Sequence, residues 1–223
     1  MIDFATARRM MVDGQLRPND VTDTRILGAM LETPRERFLP QAKAAWAYLD
    51  FDLPILESAD GRPPRRMLKP MLLGKMIQIV GLRETDAVLD IGCGTGYSSA
   101  VIAQLARTVV ALEEETMLAL AAKENLYAHG ITNVSVETGP LTAGYAARAP
   151  YDVIFLQGAT EVEPQMLFPQ LRDGGRLVCV RDRGGLGSAV LYRRAGNDVS
   201  GWPSFDATAS VLPGFAATPA FVF

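Results

Sequence analysis

Ala87-Val88-Leu89-Asp90-Ile91-Gly92-Cys93-Gly94-Thr95-Gly96-Tyr97 is the stretch on which the fold turns. A short apolar run ends in three glycines at alternate positions, and the spacing predicts a strand over 87–91, a tight turn, and a helix from Tyr97 to Arg107. Thr108-Val109-Val110-Ala111-Leu112 then reads as a second strand ending at Glu113. Glycines let the backbone turn sharply and let a ligand approach the peptide groups. The following helix aims unpaired N–H groups at an anionic ligand group. Glu113, 19 positions after Gly94, is spaced to accept hydrogen bonds from ribose hydroxyls at the carboxyl edge of a sheet.

A second helix is predicted over 115–128, stopping near Gly130. Val134–Glu137, Asp152–Leu156 and Arg176–Val180 read as strands, with a helix near Glu163–Leu171. Alternating apolar strands and helices predict a doubly wound, mostly parallel α/β sheet with helices on both faces. The C-terminal end reads as β-rich, with candidate strands Ser188–Arg193 and Ala207–Leu212, and its apolar close, Ala220-Phe221-Val222-Phe223, suits docking on the sheet or on a partner. Upstream, Asn19 and Asp20 are capping types ahead of an apolar stripe at Ile26, Leu27, Met30 and Leu31. Glu57–Arg66 reads as a loop, and Pro70 suits the first turn of a helix carrying Met71, Leu72, Met76, Ile77 and Val80. Two parts follow: a helical extension and loop over 1–66, and an α/β domain over 67–223.

A net charge of −3 over 223 residues argues against a nucleic-acid partner, which demands a basic surface. Composition at 48% hydrophobic and 21% charged is globular rather than disordered. Cys93 and Cys179 form no CxxC pair and His129 is the single histidine, so no metal site is expected. Met71–Leu82 is interrupted by Lys75 and Gln78, and the first ten residues carry Asp3, Arg8 and Arg9. A soluble cytoplasmic protein, neither spanning a membrane nor exported, is therefore expected.

The glycines do not make the dinucleotide pattern G-x-G-x-x-G. Its sixth position is Tyr97 counting from Gly92, and Ser99 counting from Gly94. A nicotinamide-dependent oxidoreductase using the Gly94 version is the competing reading. The observed spacing resembles the first motif of S-adenosylmethionine-dependent methyltransferases, and a site lined by Asp90 and Glu113 suits that cofactor's cationic sulfonium. Met11-Val12 with Gln15-Leu16, Ala29-Met30, Pro34-Arg35-Glu36-Arg37-Phe38-Leu39-Pro40 and Ala47-Tyr48-Leu49-Asp50 are similar to the amino-terminal signature of the protein-L-isoaspartate O-methyltransferase family. Val88–Tyr97, Pro150–Ile154 and Gln170–Val178 match its later motifs in order, and a looser likeness runs through Val211-Leu212-Pro213.

The resemblance implies a Rossmann-like methyltransferase sheet. It also implies methyl transfer from S-adenosylmethionine to the α-carboxylate of L-isoaspartyl residues in damaged proteins, so the partner is a protein or peptide carboxylate. Cofactor contacts would fall on Asp90, Gly92, Cys93, Gly94, Thr95, Gly96, Tyr97, Glu113, Gly139 and Pro140. Such an acceptor, with a pKa of about 4, is ionised at neutral pH and needs no general base. Two positions depart from the family pattern. Aligned on Pro70, Leu68 holds the place of a serine at the reacting groups, and Gly139-Pro140-Leu141 stands where Gly-Asp-Gly is usual. Arg66, with Arg65 beside it, is the candidate to grip the acceptor carboxylate in bidentate fashion. The alternative is a divergent S-adenosylmethionine-binding protein with another acceptor or little turnover. Tyr97 reads equally as core packing; His129, Arg35 and Arg37 carry structural readings, the arginines as surface or interdomain ion-pair partners.

Overall fold

The computed structural model describes residues 2–57 and 64–218. Most of the predicted loop, Gly61 and Pro63 included, and the apolar close at 220–223 lie outside them. The chain begins with α1 (Phe4–Met11), capped by Asp3, whose side chain accepts from the N–H groups of Ala5 and Thr6. After wider and tighter helical turns comes α2 (Thr24–Glu32). Its cap is Asp23 rather than the expected Asn19 or Asp20, because Asp20 has a left-handed backbone that ends the preceding turn. Further 3₁₀ turns lead to β1 (Leu53–Leu56) and β2 (Arg65–Met67), an antiparallel pair. Arg65 and Arg66 were expected in a loop. Their strand pairs residues that no local pattern links.

α3 (Pro70–Val80) starts at its proline and ends on left-handed Gly81. Then follow β3 (Ala87–Ile91), α4 (Tyr97–Ala103), β4 (Thr108–Glu113), α5 (Thr116–Ala128), β5 (Val134–Thr138), β6 (Tyr151–Thr160), β7 (Leu171–Asp182), β8 (Gly187–Ala195) and β9 (Asp198–Asp206). α4 is shorter than predicted. Between β6 and β7 the predicted helix is a 3₁₀ stretch, Gln165–Gln170, with Pro164 before it and Pro169 inside it. Proline removes an N–H and blocks a regular α-helix there. The expected strand over Ala207–Leu212 reduces to one bridge, Ala159 with Val211. The last strand is instead β9, which carries Gly201 and Pro203 and lacks an apolar rhythm.

The seven-stranded sheet runs β5-β4-β3-β6-β7-β8-β9. The first five strands are parallel, and β8 and β9 return antiparallel. Strand order reverses between β3 and β6, where ligands bind in doubly wound sheets. All of β6 is buried, as expected of a strand covered on both faces. Helical segments cover the two faces unequally. On one face Val88, Val153, Phe155 and Val178 pack with α3, α4 and the amino-terminal helices. On the other, Leu89, Ile91, Ile154 and Leu177 meet 3₁₀ turns through Leu141 and Leu167, with Leu212 and Phe215 from the end of the chain.

Candidate active site

The turn after β3 has positive φ at Gly92, Gly94 and Gly96, the left-handed backbone that favours glycine. Leu112 C=O accepts from the N–H groups of Gly92 (2.8 Å) and Cys93 (3.3 Å), tying the turn to the end of β4. Asp90 is fully buried beneath it. Its carboxylate accepts from Ser98 Oγ at 2.7 Å, Ser99 Oγ at 2.5 Å and Gln157 Nε2 at 2.6 Å. Burial pushes the Asp90 carboxyl above its ordinary range, and these donors oppose the rise. Gln157 reaches Asp90 because β6 bulges between Phe155 and Ala159. At the bulge Gly158 lies so close to Leu212 and Ser210 C=O that a Cβ would collide with both.

Glu113 ends β4 as expected and is also fully buried. Arg65 grips it in bidentate fashion, Nη1 to Oε1 at 2.8 Å and Nη2 to Oε2 at 3.0 Å. Gly94 N–H donates to Oε2 at 2.8 Å, and the N–H groups of Glu114 and Glu115 donate to Oε1 at 2.9 and 3.2 Å. Arg65 was expected to hold a substrate carboxylate. The carboxylate it holds belongs to the chain itself.

The amino-terminal extension is bound onto the same turn. Thr95 Oγ1 donates to Phe38 C=O at 2.5 Å. The Tyr97 ring meets Phe38 edge-on at 5.7 Å and carries the Arg35 guanidinium over it at 4.7 Å. Arg35 is fully buried and donates to Ala47 C=O and Leu68 C=O, at 2.8 and 2.7 Å. It is therefore no surface residue, and the partners it finds are carbonyls and a ring. Arg37 is exposed. His129 stacks on Phe38 at 5.0 Å and bonds Asn125 C=O through Nδ1, a structural setting. Tyr97 likewise packs in the core. Cys93 lies buried in the turn, its thiol pushed well up by burial.

Leu68 is buried between β2 and α3 and lines, with Arg66, Met67, Gly92 and Gly94, a cavity of about 20 Å³ over the turn. Arg66 is half-buried and donates to Asp52 C=O at 3.3 Å. It also borders an open groove of about 470 Å³ with Asp52, Lys69 and Ser210. Gly139 donates to Glu113 C=O at 3.1 Å, beside the acid, whereas Pro140 is exposed and its carbonyl accepts from Ala143 N–H. Pro140 offers no group that a ligand charge would need. The sequence reading missed Ser98, Ser99, Gln157, Ile55 and Leu212. The serines lie on α4 one turn from Asp90 and were open to inspection, but the other three arrive from distant segments.

A strand–glycine turn–helix followed by an acid at the next strand end, on this sheet order, defines a Rossmann-like methyltransferase fold. A sequence profile of the protein-L-isoaspartate(D-aspartate) O-methyltransferase family matches residues 7–201, and the chain belongs to that family. A protein-L-isoaspartate O-methyltransferase of Petrotoga mobilis is 36% identical over 79% of this chain and 81% of its own. One from Methanoculleus marisnigri is 39% identical over 77% and 75%. Among solved structures, a protein-L-isoaspartate O-methyltransferase superposes with a TM-score of 0.79 at 28% identity, covering 93% of this chain and 66% of that one. The fold also matches a Plasmodium falciparum structure in complex with S-adenosyl-L-homocysteine, with a TM-score of 0.72, 17% identity, and coverage of 92% and 97%.

S-adenosylmethionine is the methyl donor of the family. The glycine turn and Glu113 are the parts that the sequence pattern assigns to such a donor. As the side chains stand, the space above them is narrow. Pockets for ligands of this size measure about 300–1,000 Å³, against about 20 Å³ over the turn.

Proposed function

We propose that this chain is an S-adenosylmethionine-dependent methyltransferase acting on carboxylates of proteins or peptides, with the isoaspartyl α-carboxylate as its substrate. The family match over residues 7–201 carries the reading, supported by the turn at Gly92–Gly96 and by Glu113 at the carboxyl edge. The donor supplies the methyl group, and the chain's residues hold the acceptor and exclude water. An ionised carboxylate is its own nucleophile, so the transfer needs no general base.

Arg66 is the residue to bind the acceptor. It borders both the small cavity and the open groove, and among the described residues its side chain donates to Asp52 C=O. Leu68, in the place of the family's serine, contributes shape and water exclusion but no hydroxyl. Residues 1–66 serve as an extension that stiffens the turn of the 67–223 domain through Phe38 and Arg35. No helix among the described residues is long and apolar enough to cross a membrane. Both cysteines are free and buried, which supports a reducing, cytoplasmic setting.

The test is transfer of labelled methyl from S-adenosylmethionine to an isoaspartyl peptide, with the aspartyl isomer as control. Label on the isoaspartyl peptide alone is expected, and Arg66→Ala should raise its KM about tenfold, the loss of one hydrogen bond to a charged group. Label on neither peptide would sink the substrate assignment.

A further inference from the structure

Glu113 and the two glycine faces of the turn, the places a methionine-derived nucleoside would use, are all taken by groups of this chain. A carboxylate offers about four acceptor sites. Glu113 receives five N–H bonds, two of them from Arg65. No acceptor is left for a ribose diol. The Cα of Gly94 is covered by Ile55 of β1 so closely that even a Cβ would collide, and Gly92 is covered by Leu212 and Arg65. Arg65 Nη2 also donates to Gly92 C=O at 3.3 Å, so one guanidinium bridges the acid and the turn.

Resting on the methyltransferase reading above, we propose that Arg65 is an intramolecular competitor for the donor's place. β2 lays it on Glu113, and S-adenosylmethionine enters only as Arg65 withdraws and releases the acid to the ribose hydroxyls. The geometry suits an exchange. The donor's ribose offers hydroxyl donors to the same two carboxylate oxygens, and the Gly94 N–H can stay bonded throughout. The segment that must move is short: β2 has three residues and β1 four. Two-stranded sheets of this size are marginal by themselves. The seven-stranded sheet beneath need not shift.

Competition of this kind lowers apparent affinity by the fraction of molecules that are open. The experiment is calorimetry of S-adenosyl-L-homocysteine on the full chain and on Arg65→Met, which keeps apolar bulk but removes the charge. The variant should bind about tenfold or more tightly while unfolding at lower urea. A purely structural ion pair would give the second effect without the first. Ile55→Ala, which leaves the ion pair intact, should also tighten binding, and it serves if Arg65→Met does not fold. In the wild type the ligand should speed amide exchange in 53–56 and 65–67. Equal affinity of wild type and both variants overturns the competitor and leaves the methyltransferase reading standing. Failure of all three to bind at millimolar ligand removes that reading itself, and the competitor with it.

Discussion

Two acids stand at the same sheet edge, and their surroundings divide the site in two. Asp90 is answered from within the α/β domain, by two hydroxyls on α4 and the Gln157 amide on β6. Glu113 takes three backbone N–H groups from within that domain, but its charge is answered from outside it, by a guanidinium on a three-residue strand. The first set of partners is neutral and is fixed by elements that the large sheet already orders. The second is a buried charge pair, whose attraction must outweigh the desolvation of both ions. The Asp90 side therefore rests on elements the large sheet orders, while the Glu113 side depends on a three-residue strand packed from outside it.

The two sides differ most at Glu113. Glu113→Ala leaves Arg65 buried without its partner and should cost about 3–5 kcal/mol of stability, read by urea unfolding. The loosened amides should be those of β1 and β2, with β6 unaffected. Uniform loosening would mean that the two halves are not separable. Asp90→Asn should be milder, about 1–3 kcal/mol, because one amide donor then faces Gln157 unpaired. It carries a pH signature as well. Burial raises the folded-state pKa of Asp90, so the folded protein holds its proton more tightly than the unfolded chain. Stability from this group is greatest below the ordinary carboxylate range and is lost as pH rises through the raised value. Asp90→Asn should remove that decline, and an unchanged pH profile would count against the buried setting. The smallest effect concerns the thiols. Burial pushes Cys93 well up and Cys179 to about 12, so neither should react with iodoacetamide at pH 8 in the native protein. In Arg65→Met, Cys93 in the turn should be alkylated before Cys179 in β7. The reverse order would place the mobile element elsewhere.

Much of the fold was legible because its signals are local. Val88 to Gly96 states strand and turn within ten residues, Pro70 starts a helix, and Gly81 and Gly130 end helices with left-handed backbone. Glu113 followed from spacing alone. Where the reading failed, the deciding partner was remote or the local rhythm weak. β9 presents a mostly exposed edge with Pro203 and was passed over, and Ala207–Leu212 is apolar enough to suggest a strand yet makes one bridge. Arg35 looked like a surface charge, because nothing nearby announces that Ala47 C=O, Leu68 C=O and the Tyr97 ring will enclose it.

The class of sheet, the glycine turn, the acid that follows it and the family pattern are legible in the chain alone, since each rests on residue types at short fixed spacings. What those groups face is set by packing between distant segments. Arg65 and Glu113 are 48 positions apart, and their pairing depends on how two separately ordered segments pack. The energy of a buried charge is set by whatever surrounds it in space.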